Sequence, residues 1–307
     1  MILTVCISPS VDVTIEVDSL NIGQVNLVKS KSLSFTGKAI NVAIGVSRLG
    51  YSSYATGFMY RDDGTQFRHA LERENVPFSF VWNDGRVREN YKIIDKRSML
   101  TEINDVGEHV DEDKLQALVG EVKRLSASAD VTVISGRLPR GVDATYYRDL
   151  VGAVDPRSKK IVDTEGAKLF CALECGVDLV KPNLQELEST LGRQLKSREE
   201  ILSGCEELID RGAKAVLLSL GKEGAIITDG NRHYHCKSIN VAVNSTVGAG
   251  DGMVAAASVK MSENADLPEV LRAGVAAGTA TVTTFGKISF AKEKYNDIYS
   301  ALTISKY

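Results

Sequence analysis

Residue types able to do chemistry concentrate in Asn244-Ser245-Thr246-Val247-Gly248-Ala249-Gly250-Asp251-Gly252-Met253. Gly248, Gly250 and Gly252 alternate there, and the helix-forming run Val254-Ala255-Ala256-Ala257 follows. The spacing predicts a tight loop that opens a buried helix. A helix start presents unpaired N–H groups and a partial positive charge, so it can hold a phosphate or a developing anion. Glycine allows that anion to approach the backbone. Asp251 is the odd member, because a carboxylate repels the phosphate such a loop cradles. Its ionised form is expected to be favoured beside the helix start, which makes it a weak free base. It can still take a proton from a hydroxyl attacking a phosphoryl group held by the glycine amides. A glycine turn capped by Asp251 is the alternative, and this stretch alone leaves both readings open.

The elements that must position this loop alternate along the chain. Residues 2–8 read as a short apolar strand stopped by Pro9, residues 39–49 and 63–75 as helices, and 54–57 as a strand. From Asp111 onward helices are expected over 114–127, after Asp143, and over 184–191, 199–211, 252–260 and 267–281. Strands are expected over 130–135, 160–163, 179–181 and 215–220, with an antiparallel pair over 224–228 and 233–241. Such alternation predicts a mostly parallel sheet with helices on both faces. Residues 11–34, and a second region running from 78–84 through 90–95 to about 104, instead alternate apolar with polar residues. Stretches 11–34 and 84–104 are therefore expected to form a small β subdomain inserted into one domain spanning 1–307. Ligands bind beyond the carboxyl ends of strands in such sheets. Asp12, Ser135-Gly136-Arg137, Asp163, Lys181-Pro182-Asn183, Ser219-Leu220-Gly221 and Asn244-Ser245-Thr246 follow strands and should converge on one edge. Neither a GxxxxGK[ST] loop nor a full GxGxxG fingerprint is present.

Composition narrows the classes. The chain has 307 residues and a formal net charge of -3, without the basic block of a nucleic-acid surface. No apolar run reaches membrane-spanning length, and the N-terminus lacks a basic leader, so a cytoplasmic protein is expected. Cys6, Cys171, Cys175, Cys205 and Cys236 show no CxxC spacing and read as reduced thiols. His233 and His235 alternate on a predicted strand with no ligand cluster nearby, which suits a solvated strand face better than a metal site.

Seven separated segments, taken together, resemble one family. They are Ser8-Pro9-Ser10-Val11-Asp12, Gly37-Lys38-Ala39-Ile40-Asn41-Val42-Ala43, Arg88-Glu89-Asn90-Tyr91-Lys92, Ser135-Gly136-Arg137-Leu138-Pro139-Arg140-Gly141, Lys181-Pro182-Asn183-Leu184-Gln185-Glu186-Leu187, Ser219-Leu220-Gly221-Lys222-Glu223-Gly224-Ala225 and Thr246-Val247-Gly248-Ala249-Gly250-Asp251. The chain resembles the ribokinase-like sugar kinases of the phosphofructokinase-B type, and within them the bacterial 1-phosphofructokinases and tagatose-6-phosphate kinases. That resemblance implies a three-layer ribokinase-like α/β fold with a small β-sheet lid. It implies Asp251 as catalytic base with Gly248, Ala249 and Gly250 as its anion hole. Asp12 and Asn41 would bind sugar hydroxyls, and Gly37, Lys38, Arg88 and Arg137 would cradle a phosphosugar. Lys181, Asn183, Ser219, Gly221, Gly224, Thr246, Val275 and Thr279 would serve the nucleotide. Asn183 and Glu186 would organise Mg²⁺ through water, with a monovalent cation as a further candidate.

The activity implied is ATP-dependent phosphorylation of a hexose phosphate, D-fructose 1-phosphate to fructose 1,6-bisphosphate. Tagatose 6-phosphate is the second acceptor, and 6-phosphofructokinase activity the third reading. A homodimer through the lid is implied as well. Three departures stand out. Thr36 and Ala39 replace glycines that usually flank Gly37 and Lys38, Arg137 replaces a serine, and Ser8 replaces an asparagine that helps set Asp12. The altered loop is the one feature favouring an inactive sugar-phosphate sensor. A dinucleotide oxidoreductase is a weaker alternative.

Overall fold

The computed structural model describes residues 1–284 and 290–307. Strand β1 (Ile2–Cys6) is buried along its whole length, as a strand covered on both faces must be. The chain then leaves that layer to form β2 (Ser10–Val17) and β3 (Val28–Thr36), an antiparallel pair. It returns through α1 (Lys38–Arg48), β4 (Ser53–Tyr60), α2 (Gly64–Arg73) and β5 (Phe78–Asn83). A second excursion makes β6 (Arg88–Asp95) and β7 (Leu100–Asn104). Strands and helices then alternate through α3 (Glu112–Ser126), β8 (Val131–Ser135), α4 (Tyr146–Ala153), β9 (Lys159–Asp163), α5 (Ala167–Leu173) and β10 (Leu179–Val180). Next come α6 (Leu184–Leu191), α7 (Arg198–Asp210) and β11 (Val216–Ser219). The chain ends with β12 (Ala225–Thr228), β13 (His233–Cys236), α8 (Ala249–Ser262), α9 (Leu267–Val282), α10 (Lys292–Ala301) and β14 (Ile304–Lys306).

Among the described residues, ten strands form one sheet in the order β14-β13-β12-β11-β10-β9-β8-β1-β4-β5. It is parallel from β5 to β11 and antiparallel from β11 to β14. Period-two alternation splits its side chains between two cores. Val131, Val133 and Leu217 pack with α8 and α9, whereas Ile134, Val216 and Leu218 pack with Leu118, Tyr147, Leu169 and Leu208 of the helices opposite. Four strands form a second sheet, β3-β2-β6-β7, with β2 and β6 parallel and Asp12 beside Asn90. Its inner side, including Val11 and Val13, packs on Ile40, Ile44 and Phe67.

Local sequence sets the helix ends that matter. Asn183 and Ser197 each open a helix with a capping box, closed by Glu186 and Glu200. Asp266 caps α9, and Pro268 follows in its first turn. Residues 78–83, which lie outside the expected 84–104 stretch, join the large sheet as β5, parallel to β4, with Phe80 packed in the α1–α2 core. Helix α8 starts at Ala249, which brings Asp251 into the first turn.

Candidate active site

A cleft of about 680 Å³ lies where the carboxyl ends of the parallel strands meet the small sheet. Every site residue anticipated from the sequence lines it: Asp12, Gly37, Lys38, Asn41, Arg88, Arg137, Lys181, Asn183, Glu186, Ser219, Gly221, Gly224, Thr246, Gly248, Ala249, Gly250, Asp251, Val275 and Thr279. One end is apolar, walled by Ile239, Val241, Val275 and Val282. The other end carries Asp12, Arg88 and Arg137.

Helix α8 begins at the centre. Gly248 caps it with φ +81°, a left-handed conformation that disfavours side chains. Among the described residues the amides of Gly250 and Asp251 donate to no backbone group, so they are free for an anion. Asp251 is 8% exposed, and its Oδ2 accepts from Asn41 Nδ2 at 2.7 Å. Asn41 Oδ1 is left buried without a partner beside it, an acceptor for an incoming hydroxyl. The sequence expectation that Asp251 favours ionisation is reversed. Burial pushes its carboxyl up to about 6, and the charge of Asp163 adds to the effect. Asn41, Lys38 and Lys181 oppose both without overcoming them. The helix start is outweighed by removal from water, and the result is a stronger base.

Asp163, 2% exposed at the end of β9, lies at the edge expected from the sequence, which assigned it no role in the site. Lys38 Nζ lies 3.2 Å from its Oδ2 and Lys181 Nζ 3.5 Å from its Oδ1, while Ser135 Oγ donates to Oδ2 at 3.1 Å. Burial alone would raise the Asp163 carboxyl, but the two ammonium groups hold it below its ordinary value. Asp163 in turn raises Lys38, against the effect of burial. Lys38 also lies 3.7 Å from Glu186 Oε1, so its charge is shared between two carboxylates at the centre of the cleft. Glu186 Oε2 accepts from the Asn183 amide and Asn183 Oδ1 from the Glu186 amide, both at 2.8 Å. The motif is thus a helix cap as well as a cleft wall.

At the polar end, Arg88 is held by neutral partners: Nε donates to Ser8 Oγ at 2.8 Å and Nη1 to Asn90 Oδ1 at 2.7 Å. Burial lowers its pKa, and the charge of Arg137 lowers it further. Ser8 therefore serves Arg88, while Asp12 is set from β6 and from Ser10 rather than by the asparagine expected at position 8. Thr36 and Ala39 are buried beside Gly37, where a Cβ would lie 2.7 Å from Cys6 Sγ; the close approach is kept at the middle glycine. Asn90 and Lys92 were visible only as motif members, although their spacing from Arg88 puts all three on one strand face. His233 bonds Thr228 and His235 the Glu223 carbonyl, and no metal-ligand cluster occurs among the described residues.

An unpartnered helix start, a buried base, central lysines and an apolar end define a phosphotransferase site that takes an alcohol acceptor. Residues 1–294 match the model for pfkB family carbohydrate kinases, and the chain belongs to that family. It is an ATP-dependent sugar phosphotransferase. It is 30% identical to 1-phosphofructokinase of Vibrio cholerae over 99% of this chain and 96% of that one. It is 33% identical to D-tagatose-1-phosphate kinase of Bacillus licheniformis, over 93% and 94% respectively. Phosphofructokinase-2 from Escherichia coli in complex with potassium superposes with a TM-score of 0.90, at 31% identity and 98% coverage of both chains.

Proposed function

We propose that this chain is a 1-phosphofructokinase, transferring the γ-phosphoryl group of ATP to the 6-hydroxyl of D-fructose 1-phosphate. The observation that carries this reading is the pair Arg88 and Arg137. Two guanidinium groups, close enough for one to depress the other, share one end of a cleft without an ion pair among the described residues. Such a pair is stabilised by a dianion, which the non-reacting phosphate supplies. Asp12 and Asn41 accept from sugar hydroxyls. The 6-hydroxyl then lies at Asp251, which takes its proton as the oxygen attacks phosphorus. The amides at the start of α8, with Lys38 and Lys181, stabilise charge on the transferring group. Nucleotide phosphates lie toward Asn183, Ser219, Gly221, Gly224 and Thr246, and the base lies against Val275 and Thr279.

Glu186 Oε1 is only loosely paired, 3.7 Å from Lys38, which suits water-mediated holding of a metal ion. Asn183 and Glu186 would hold Mg²⁺ through water, and the ion's charge offsets that of the nucleotide phosphates. A monovalent cation enters only through the potassium complex of the Escherichia coli relative.

The small sheet serves as a lid over the sugar end, excluding water. Beyond the part packed on α1 and α2, the side of that sheet carrying Val13 leaves Leu33 and Ile103 more than half exposed, with Ile22 and Val25 at one tip almost fully so. A second copy of the chain covers that face in this reading. Free thiols and the use of ATP support a cytoplasmic location.

D-tagatose 1-phosphate is the second acceptor, favoured over tagatose 6-phosphate by the Bacillus licheniformis relative. The test is ADP release with fructose 1-phosphate, both tagatose phosphates, fructose 6-phosphate and free fructose. Fructose 1-phosphate should be preferred, and Arg88→Ala should weaken it by about 1.5–3 kcal/mol while leaving ATP nearly unaffected. Preference for free fructose in the unaltered protein would show the phosphosugar reading to be wrong.

A further inference from the structure

Arg88, Asn90 and Lys92 project from the same face of β6, and the site chemistry so far uses only the first. The role of Asn90 follows from its neighbours. A guanidinium only donates hydrogen bonds and an ionised carboxylate only accepts them. Asn90 Oδ1 accepts from Arg88 at 2.7 Å, and its Nδ2 donates to Asp12 Oδ1 at 2.9 Å. One amide therefore ties the guanidinium to the carboxylate, and turning it over would set like against like at both ends. Lys92 Nζ donates to the other carboxylate oxygen, Asp12 Oδ2, at 2.7 Å. The two side chains of that ion pair are only 15% and 13% exposed. Asp12, Arg88 and Asn90 line the cleft, whereas Lys92 stands behind Asp12 and does not.

Resting on the phosphosugar-kinase reading, we propose that Asn90 and Lys92 are positioning residues. They hold the hydroxyl-binding carboxylate of Asp12 at one spacing from the phosphate-binding guanidinium of Arg88. They thereby select which carbon of the acceptor carries its non-reacting phosphate. The distance from a sugar's ring hydroxyls to its phosphate is set by that carbon. A carboxylate held at both oxygens accepts one such distance, and a carboxylate free to rotate accepts several. Lys92 acts through Asp12, since its near contact is spent on the carboxylate.

The experiment measures KM and kcat for ATP, fructose 1-phosphate and fructose 6-phosphate in Lys92→Met, Lys92→Arg and Asn90→Leu. Lys92→Met should raise KM for fructose 1-phosphate about tenfold or more, as loss of a charge-assisted bond does. Its KM for ATP should stay within twofold, and its preference between the two phosphosugars should narrow. Asn90→Leu should narrow the same preference, and Lys92→Arg should recover most of the loss. Because an unpaired Asp12 could loosen the small sheet, Asp12→Asn/Lys92→Met, which removes both charges, is measured alongside. If Lys92 works through Asp12, the double variant binds fructose 1-phosphate no worse than Asp12→Asn alone. Losses that multiply in the double variant, or an unchanged KM and preference in Lys92→Met or Asn90→Leu, overturn this inference and leave the kinase reading standing. No turnover of any phosphosugar by the unaltered protein overturns both.

Discussion

Replacing Asp251 by asparagine should produce an enzyme that is inactive and more stable. The carboxyl is pushed from an ordinary value of 3.8 up to about 6, chiefly by burial and then by Asp163. Holding it ionised in the fold at neutral pH therefore costs about 3 kcal/mol, at 1.36 kcal/mol for each tenfold. The side chain is almost fully buried, so solvent screens little of this. Asparagine keeps the shape and removes the charge, but it also deprives Lys38 and Lys181 of a nearby anion, so about 3 kcal/mol is a ceiling. The direction with pH follows from linkage. A raised carboxyl favours the fold below 3.8, and that contribution is lost as pH rises through about 6. The variant's advantage should be full at pH 8 and shrink toward pH 5. Thermal melting at several pH values should show a rise of a few degrees at pH 8. Turnover with fructose 1-phosphate should drop by about a hundredfold or more, because the proton acceptor is gone. A variant that melts lower by the same margin at every pH, and still turns over near normally, would refute both the buried-base argument and the role of Asp251.

Other outcomes follow from the same geometry. In the unaltered enzyme kcat/KM should fall tenfold per pH unit below about 6, since the base must be ionised. Asn41→Leu should move that acid limb upward because the Asn41 hydrogen bond holds the carboxyl down; a limb that stays put assigns it to another group. Gly37→Ala brings a Cβ to 2.7 Å from Cys6 Sγ at the start of α1. It should destabilise by about 1–3 kcal/mol and weaken sugar binding, and Cys6→Ala in the same chain should restore only part of either, because the φ of +158° and the contact with Pro9 Cα at 3.3 Å remain. Leu33→Glu with Ile103→Glu places charge on the exposed edges of the small-sheet face that carries Val13 and Tyr91. A shift to monomers in sedimentation is expected, and an unchanged mass would remove that face as the site of association.

The layers and the cleft were legible because their signals are local and repeated. Strand ends supply polar residues at one edge by topology alone, and residues of all seven motifs line the cleft there. What escaped was short or depended on distant partners. Helix α5 is too brief to show a period, and α10 buries only Tyr295 and Ile298 of its ten residues. Strand β5 alternates like the lid strands, but its inner side chains pack on α2, which no local pattern reveals. Asp251 sits at a helix start, where local physics alone favours the anion. Its basicity comes instead from burial and from Asp163, brought beside it only by the packing of β9 against α8. The roles of Asn90 and Lys92 likewise required Asp12 to be seen across the β2–β6 pairing.

The positive groups of the cleft fall into two unlike sets. At its middle, Lys38 and Lys181 face Asp163, with Asp251 and Glu186 close by, so the positive charges there are already answered. At the sugar end, Arg88 and Arg137 stand without an ion pair among the described residues. The protein thus greets its two substrates differently. A phosphosugar arrives at a region already short of anions and needs no escort. A nucleotide arrives at a region where three carboxylates outnumber two ammonium groups, and must travel with counter-ions of its own. Salt in the medium should accordingly compete with the sugar, while the nucleotide's hold depends on which cation accompanies it.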